Sequence, residues 1–586
     1  MSMKKRLIAL LLACAVPVSM AACSGDTGSE TGGETGGVSE AGGEISGEEG
    51  GSGLTEPGTF PISEEPVTLT VLTQQIPSII DITTNEFTKW YQELTNVQIE
   101  WQLVPSDSVE SNLNVTLAGG EYPDIFLSMG IKSSQEDQYG GADKIFLPLD
   151  DLIDSSMPNF KAVLEEKPDV LSDITAMDGN IYCLPSITEY LHGQYAMKMW
   201  VNTTWLDRLD MEKPTTTEEF YEMLKAFKEK DPNGNGIADE IPLSGVIDTG
   251  GGWYSDVSDF ILNAFVYDSG STGDGLRRYI DMESGDIEIA VNQEAYREGL
   301  RFMNRLYTEG LIDPAAFSNT NDQLKQIALN PGVEILGAAP AGHPAMFMDI
   351  TTDPERYAMF DAIAPLEGPE GVRQSPRLKE DREFGEAAIS TTCANPEVAA
   401  RWLDGFYDYE IQMERAWGHE GEAWRVAEDG ELGLDGDPAL YKTLIAFDES
   451  AQNDNWAWLG IEYTPLELFN GQTVTPENVD LYSAEGFERR MVLVTEELYQ
   501  PYDVSDKYQN VPNVLRYTEA DAEERNLLFQ DLQTLAKEWR VYFITGERSL
   551  DNDWDEYIQA LNDMQLERFL ELENAAYDAY LEKTAG

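Results

Sequence analysis

Residues 117–127 read Leu-Ala-Gly-Gly-Glu-Tyr-Pro-Asp-Ile-Phe-Leu and join the end of a helix to an apolar strand. Gly119 and Gly120 supply the turn, because glycine adopts backbone angles that other residues avoid. The run Ile125-Phe126-Leu127 predicts a short strand that is buried on both faces. Such a strand is typical of a sheet covered by helices on both sides.

The segments around this turn extend the same pattern. Val67, Leu69 and Val71 alternate with threonines and predict a strand, a helix is expected over about 84–94, and a second strand over 97–103. Further helical periodicity is found at about 216–229, 293–309, 396–416 and 553–583. Strands interleaved with helices predict an α/β fold.

The N-terminus has the pattern of a signal peptide. Lys4, Lys5 and Arg6 precede the apolar run 7–18, and Ala21 and Ala22 lead into Cys23. This ending resembles the bacterial lipobox, which predicts signal residues 1–22 and acylation, for example by palmitate, of Cys23. The alternative is an ordinary secretory signal that leaves Cys23 free. Residues 24–57 are mostly Gly, Ser, Thr and Glu and predict a disordered acidic tether, which we extend to residue 64.

Composition excludes several classes of function. The 586 residues include 107 acidic and 39 basic side chains, for a net charge of −68, which disfavours nucleic acids and anionic membrane surfaces as partners. The only three histidines, His192, His343 and His419, are far apart in sequence, so a metal would be a hard cation with oxygen ligands. Cys183 and Cys393 form either a disulfide or two buried thiols.

Several stretches carry a family resemblance. They are 119–125 (Gly-Gly-Glu-Tyr-Pro-Asp-Ile), 146–153 (Phe-Leu-Pro-Leu-Asp-Asp-Leu-Ile), 178–185 (Asp-Gly-Asn-Ile-Tyr-Cys-Leu-Pro), 205–220, 365–371, 395–404, 418–424 and 543–578. In this order they resemble the large family 1 extracellular solute-binding lipoproteins of bacterial ABC importers, a group that includes LplA-type and alginate-binding proteins.

The resemblance implies a two-lobe, periplasmic-binding-protein-like (type II) fold with a ligand cleft between the lobes. On this likeness we place lobe one at 65–190 plus 376–430 and lobe two at 191–375 plus 431–586. It further implies a monomer, lipid-anchored on the extracellular face of the cytoplasmic membrane of a Gram-positive bacterium. Such a protein captures a carbohydrate, expected to be an oligosaccharide, and delivers it to ABC permease subunits. The acidity of the chain favours a neutral glycan over a uronic one, despite the likeness to alginate-binding proteins.

Two other functions stay open at this stage. A surface glycoside hydrolase or lyase is disfavoured, because no Gly-x-Ser-x-Gly stretch occurs and no histidine has a recognisable partner. We therefore expect no enzymatic activity. A binding protein that serves a sensor kinase has the same sequence features as one that serves a permease.

Residues 231–240 predict a calcium loop with a structural role. Oxygen-bearing side chains stand at loop positions 1, 3, 5 and 9, and Gly236 occupies position 6, as in the first part of an EF-hand. The expected ligands are Asp231, Asn233, Asn235, the carbonyl of Ile237, Asp239 and Glu240, which would replace the usual glutamate because position 12 is Pro242. The alternative is an Asn-Gly-rich surface turn whose side chains bond their own backbone.

Sugar recognition needs aromatic rings for apolar faces and polar side chains for hydroxyl groups. Trp253 and Tyr254 follow three glycines, where a loop could expose their rings. Trp456 and Trp458 would share one face of an extended segment. Tyr122 and Asp124 lie beside the Gly119-Gly120 turn. These three pairs are the predicted cleft residues, with burial in the core as the alternative.

Overall fold

Strand β1 (Val67–Gln75) belongs to the main sheet of the first lobe, where most of its apolar side chains are buried. The computed structural model describes residues 53–247, 253–270, 274–378, 381–445, 451–474 and 479–584, except for the side chain of Asp381. The predicted signal peptide, Cys23 and the tether up to residue 52 lie outside the described residues. No helix among those described is both long and apolar enough to cross a membrane.

The remaining strands are β2 (Val97–Pro105), β3 (Ile125–Leu127), β4 (Cys183–Thr188), β5 (Met199–Asn202), β6 (Arg278–Asp281), β7 (Ile287–Ile289), β8 (Ala338–Pro340), β9 (Phe360–Ile363), β10 (Asp381–Ile389), β11 (Trp424–Val426), β12 (Tyr441–Thr443), β13 (Tyr463–Thr464) and β14 (Tyr508–Gln509). The helices are α1 (Glu86–Thr95), α2 (Val109–Gly119), α3 (Ser133–Gln135), α4 (Asp150–Ser156), α5 (Pro158–Glu166), α6 (Pro168–Ile174), α7 (Leu191–Gln194), α8 (Thr203–Leu209), α9 (Thr217–Glu229), α10 (Val257–Ile261), α11 (Glu294–Thr308), α12 (Asn321–Ala328), α13 (Pro354–Tyr357), α14 (Pro396–Asp404), α15 (Tyr409–Trp417), α16 (Leu466–Asn470), α17 (Phe487–Val494), α18 (Glu519–Thr545), α19 (Trp554–Asp563) and α20 (Leu566–Thr584).

Lobe one is built on a six-stranded sheet in the order β13-β4-β10-β3-β1-β2. β1 runs parallel to β2 and β3, and β13 runs parallel to β4, whereas β10 is antiparallel to both β3 and β4. The carboxyl ends of β1, β2, β3, β4 and β13 therefore lie at one edge of the sheet. Ligands of open α/β sheets bind outside that edge.

Lobe two contains two three-stranded sheets, β8-β5-β9 and β14-β6-β7. Its apolar core joins side chains between residues 195 and 366 to others between 487 and 572. The main core of lobe one joins side chains from 62–187, 387–411 and 456–463. The chain therefore crosses between the lobes three times, near residues 188–195, 364–381 and 464–487.

Three expectations about the chain's organisation need correction. Residues 456–464, placed in lobe two from the sequence, belong to lobe one, because Tyr463 pairs with Ile187 and Trp456 is buried in that core. The tether does not reach residue 64, because Ile62 is buried in lobe one and Arg401 donates to the carbonyl oxygens of Thr55 and Glu56, each at 2.7 Å.

The third correction concerns a helix expected over 396–416. It is divided into α14 and α15, because the Asp408 side chain caps the second helix by accepting from the backbone N–H groups of Glu410 and Ile411.

Cys183 and Cys393, for which a disulfide was one of two expectations, are both free and buried. Burial raises the pKa of each thiol, to about 12 for Cys393.

Candidate functional site

A cavity of about 280 Å³ lies between the lobes, at the carboxyl edge of the six-stranded sheet. Lobe one contributes Tyr190, which follows β4, and Arg382 and Phe384 at the start of β10. Lobe two contributes Trp253, Tyr254 and the segment 510–514. The cavity therefore has the position expected for a ligand site in this architecture.

Trp253 forms an aromatic wall of this cavity and is held by neighbours on several sides. Its ring centroid lies 6.3 Å from that of Tyr190, 6.1 Å from His192 and 5.5 Å from His343. Its carbonyl oxygen accepts a hydrogen bond of 2.9 Å from the N–H of Gly342. The indole is half-buried, so one part of its surface packs on protein while the rest can meet a ligand.

The side chains behind Trp253 include two of the three histidines and a buried lysine. Burial, and after it the charges of His192 and Lys198, lower the pKa of His343 to about 3. Burial also lowers the pKa of Lys198 to about 7. The Lys198 ammonium donates to the carbonyl oxygens of His192, at 2.8 Å, and Tyr195. Lys198 thereby ties the interlobe segment that carries Tyr190 and His192.

The polar side of the cavity is a hydrogen-bonded network that includes both lobes. Arg382 Nη1 lies 3.1 Å from Asp173 Oδ2 and 2.8 Å from Asp169 Oδ2. The Tyr580 hydroxyl, on the last helix of the chain, donates to Asp173 Oδ1 at 2.9 Å. Burial and the charge of Asp173 raise the pKa of Tyr580, so its hydroxyl remains a donor. The charged side chains that line the cavity, among those described, are Asp173 and Arg382.

Of the predicted cleft residues, Trp253 and Tyr254 line the cavity. Trp456 does not, because it is buried in the core of lobe one, where its indole N–H donates to Thr88 Oγ1 at 2.8 Å. Trp458 is exposed over 62% of its surface and does not line the cavity. The two tryptophans do not share a face, because Ala457 between them has φ = 49°, which breaks the extended conformation.

Tyr122 and Asp124 lie at the amino end of β3, at the edge of the sheet opposite the cavity. Asp124 Oδ2 accepts from the N–H of Thr70 at 2.8 Å and from its hydroxyl at 2.9 Å, which ties β3 to β1. Tyr122 packs in a second apolar cluster of lobe one, and its hydroxyl donates to the carbonyl of Leu117 at 3.4 Å. The prediction that this turn borders the cleft is therefore wrong, because only the carboxyl ends of the parallel strands face lobe two.

Sequence reasoning missed Tyr190, Arg382, Tyr580 and the segment 510–514. Tyr190 carried a usable signal, because it follows an apolar strand at the edge where parallel strands end. The other residues reach the cavity only through the pairing of β10 with β3 and β4 and through the packing of the last helix.

The loop 231–240 brings its oxygen-bearing side chains together. The Asp239 carboxylate accepts from the side-chain amides of Asn233, at 3.0 Å, and Asn235, at 3.0 and 3.1 Å. Asp231 Oδ1 and Oδ2 accept from the N–H groups of Gly234 and Gly236, each at 3.1 Å. Gly236 has φ = 76°, a conformation that favours glycine, as the loop pattern requires.

Glu240 completes this group in an unusual state. Its Oε1 is buried and has no hydrogen-bond partner. Burial raises its pKa, and the charges of Asp231 and Asp239 raise it further. A hard cation would suit this arrangement, in which carboxylates of like charge surround a buried oxygen that has no hydrogen-bond partner. Among the described residues, no three or more His, Cys, Asp or Glu side chains are arranged as a metal site, so an ion here would need the amide and carbonyl oxygens as well.

Comparison with known proteins gives a consistent result. The family model of bacterial extracellular solute-binding proteins matches residues 76–413. The fructooligosaccharide ABC transporter substrate-binding protein FusA of Streptococcus pneumoniae is 28% identical over 539 residues, which cover 89% of this chain and 92% of FusA.

Solved structures agree with this match. An HMO-binding solute-binding protein of Bifidobacterium longum infantis has a TM-score of 0.73 at 22% identity, over 88% of this chain and 99% of the other. FusA structures with kestose and, for an EF-hand mutant, with fructo-nystose have TM-scores of 0.70 and 0.69, both at 24% identity and with the same coverage.

Proposed function

Because the chain belongs to the family of bacterial extracellular solute-binding proteins, we propose that it captures a carbohydrate, an oligosaccharide, between its lobes and delivers it to ABC transporter permease subunits. The observation that carries the proposal is the interlobe cavity, which is lined by the rings of Trp253 and Tyr190 together with polar side chains. Rings bind the apolar faces of sugars, and amide, carboxylate and guanidinium groups bind hydroxyl groups. FusA, whose name describes a fructooligosaccharide-binding protein, supports this ligand class.

The charge of the cavity favours a neutral ligand. Arg382 is already paired with Asp169 and Asp173, so of the described lining residues no cation is left without a carboxylate. A uronate would place further negative charge beside Asp173. A neutral oligosaccharide avoids this repulsion. The volume of about 280 Å³ is at the low end of ligand pockets, so a longer ligand would extend from the cavity along the sheet edge.

Titration calorimetry of the secreted protein, from residue 24, tests this proposal with kestose, neutral milk oligosaccharides and trigalacturonate. We expect at least one neutral oligosaccharide to bind and trigalacturonate to bind at least tenfold more weakly. Trp253→Ala should weaken binding at least tenfold, about 1.4 kcal/mol, whereas the matched variant Trp458→Ala should bind like the wild type. If every neutral oligosaccharide fails to bind, or both variants weaken binding equally, the proposal is wrong.

The same samples test the alternative of a glycoside hydrolase or lyase. Binding proteins of this kind act by lobe closure around the ligand. We expect small-angle scattering to show a smaller radius of gyration with the bound oligosaccharide, which should be recovered intact. Release of reducing ends or of unsaturated products would establish an enzyme instead.

We also propose that residues 231–240 bind Ca²⁺ as a structural ion. Asp231, Asn233, Asn235, Ile237, Asp239 and Glu240 would hold it, and its charge would neutralise the carboxylates around the partnerless Glu240 oxygen. The ion would join the end of α9 to the strand-like segment that follows. The FusA structure described as an EF-hand mutant supports the presence of such a loop in a relative.

The calcium proposal is tested by thermal unfolding after chelation and with added Ca²⁺. An ion at 10 to 100 times its Kd stabilises by about 1–3 kcal/mol, so the thermal midpoint should rise with calcium. Asp239→Ala should abolish the rise, whereas Asp531→Asn, which changes an exposed carboxylate on α18, should keep it. A wild type that does not respond to calcium would contradict the proposal.

Finally, we propose that Cys23 is acylated and anchors the protein to the extracellular face of the cytoplasmic membrane. The lipobox-like ending and the acidic tether support this. In a Gram-positive host, Cys23→Ala should release the protein into the medium and abolish labelling by radioactive palmitate. Retention of Cys23→Ala on the cell surface would contradict the anchor.

A further inference from the structure

Each of two aromatic rings in the cavity lies directly on a glycine. The ring of Trp253 lies over Gly342. A Cβ at that position would stand 2.6 Å from Cδ2 of the indole and nearer still to Cε3 and Cζ3. The ring of Tyr190 lies over Gly193, where a Cβ would stand 2.8 Å from the hydroxyl oxygen and nearer still to Cε2 and Cζ. Real Cβ contacts of this kind do not occur below about 3.0 Å, so either ring would have to move.

Backbone conformation does not explain these two glycines. Neither Gly193 nor Gly342 has a φ in the left-handed region, so other residues could adopt their backbone angles. Gly193 lies within the short helix α7, where alanine would be favoured over glycine. The feature of glycine that matters at both positions is therefore the absence of a Cβ atom.

The rings have little room to move elsewhere. Trp253 also packs with His343 and His192, with ring centroids at 5.5 and 6.1 Å. Tyr190 contacts His192 at 4.9 Å and Phe469 at 5.5 Å. A ring displaced by a new methyl group would therefore move toward the cavity, because the protein occupies the opposite side.

We propose that Gly193 and Gly342 are positioning residues, which set how far the rings of Tyr190 and Trp253 project into the ligand cavity. The expected effect on binding rests on the proposed function. With an alanine at either position, a sugar would lose the space in which it stacks on the ring. The role belongs to the missing Cβ at both positions, whether the glycine lines the cavity, as Gly193 does, or lies behind a ring, as Gly342 does. Specificity between sugars of different thickness would depend on these two positions.

The test replaces each glycine by alanine in the secreted protein. Gly342→Ala and Gly193→Ala should each weaken binding of kestose, or of whichever neutral oligosaccharide the wild type binds, at least tenfold. Gly119→Ala is the matched surface control, because nothing lies within 4 Å of its Cβ. Gly337→Ala is the core control. Its Cβ would crowd Phe227 and Trp205, away from the cavity, so it should lower the thermal midpoint but leave affinity unchanged.

A spectroscopic readout separates ring displacement from general loosening. The protein contains 12 tryptophans, and labelling with 5-fluorotryptophan gives each a ¹⁹F resonance, of which Trp253 is assigned by its loss in Trp253→Phe. Gly342→Ala should shift that resonance, whereas Gly337→Ala and Gly119→Ala should not. Gly342→Ala should also lower the thermal midpoint much less in a Trp253→Ala background, because the clash is with that ring.

The outcomes distinguish this proposal from the proposed function. An unshifted Trp253 resonance in Gly342→Ala overturns the positioning role, whatever the protein binds. A shifted resonance with wild-type oligosaccharide affinity overturns the link to recognition. If the wild type binds no oligosaccharide, the proposed function fails and the link to recognition fails with it, while the resonance still decides whether the glycine seats the ring.

Discussion

The segment that carries Trp253 leads into a buried cluster of charged side chains. Replacing Arg277 of this cluster by methionine should strongly destabilise the folded protein. Arg277 is 1% exposed, and its Nη1 lies 2.7 Å from Asp259 Oδ1 and 2.6 Å from Asp268 Oδ1. Arg540 is the second cation and lies 3.1 Å from Asp256. Burial alone would raise the pKa of Asp256, but the charges of Arg540 and Arg277 hold it below its ordinary value.

The magnitude follows from the balance of charge. Three buried carboxylates face two guanidinium groups, and without Arg277 they would face one. Removing one partner of a buried ion pair costs about 3–5 kcal/mol, because a charge stays buried without compensation. This is a large part of the roughly 5–15 kcal/mol by which a folded protein is stable. Because Asp256 begins helix α10 three residues after Trp253, we also expect oligosaccharide binding to weaken.

Urea unfolding at pH 7, followed by circular dichroism, measures this prediction. The matched variant is Asp268→Asn, which leaves two carboxylates against two guanidinium groups and keeps an amide oxygen that can accept from Arg277 Nη1. It should change the free energy of unfolding by less than about 1 kcal/mol. A loss below about 1.5 kcal/mol, or an equal loss in Asp268→Asn, would refute the reasoning.

Three further predictions concern other parts of the chain. Burial, and then the charge of Glu383, raises the pKa of Glu386 to about 8. The folded state therefore holds a proton that the unfolded state releases near pH 4.5, and the free energy of unfolding falls as pH rises between these values. Glu386→Gln should gain about 2–4 kcal/mol over the wild type between pH 5 and 8, and a stability difference between the two proteins that stays constant with pH in urea unfolding would contradict this. Trp456→Ala should cost about 3–5 kcal/mol of stability, measured by the same unfolding, and wild-type stability would show that the indole is not core. Tyr580→Phe removes a hydrogen bond from the last helix to Asp173, so small-angle scattering should show a larger radius of gyration than for the wild type without ligand. Tyr577→Phe is the control, and equal radii for Tyr580→Phe and the wild type would contradict this prediction.

The local patterns of the sequence predicted most of the regular structure. Helix α9 begins where Thr216 and Glu219 form a capping box, with Thr216 Oγ1 accepting from the Glu219 N–H at 3.2 Å. Helix α1 and strands β1 and β2 lie within a few residues of their predicted bounds. These elements depend on caps, periodicity and side-chain size, which neighbouring residues determine.

The errors arose where distant parts of the chain meet. Trp456 looked like a cleft residue because aromatic and polar residues surround it in sequence, yet it packs on Phe87 of α1, with ring centroids 5.0 Å apart. Asp124 was placed at the cleft because it adjoins a glycine turn, but the direction of β3 puts it at the far edge. Strand order and direction decide both cases, and a single sequence contains neither.

The charge of the cavity differs from that of the chain as a whole. The whole chain has a net charge of −68, whereas the charged side chains that line the cavity, among the residues that the structure describes, are one cation, Arg382, and one carboxylate, Asp173. Asp173 in turn accepts from Tyr580, so these lining groups also join the lobes, together with Arg516 and Lys583 outside the cavity. A ligand that adds hydrogen bonds to this network stabilises the closed arrangement more than the open one, and only such a difference can drive closure. Recognition and lobe closure therefore share the side chains of Asp173, Arg382 and Tyr580.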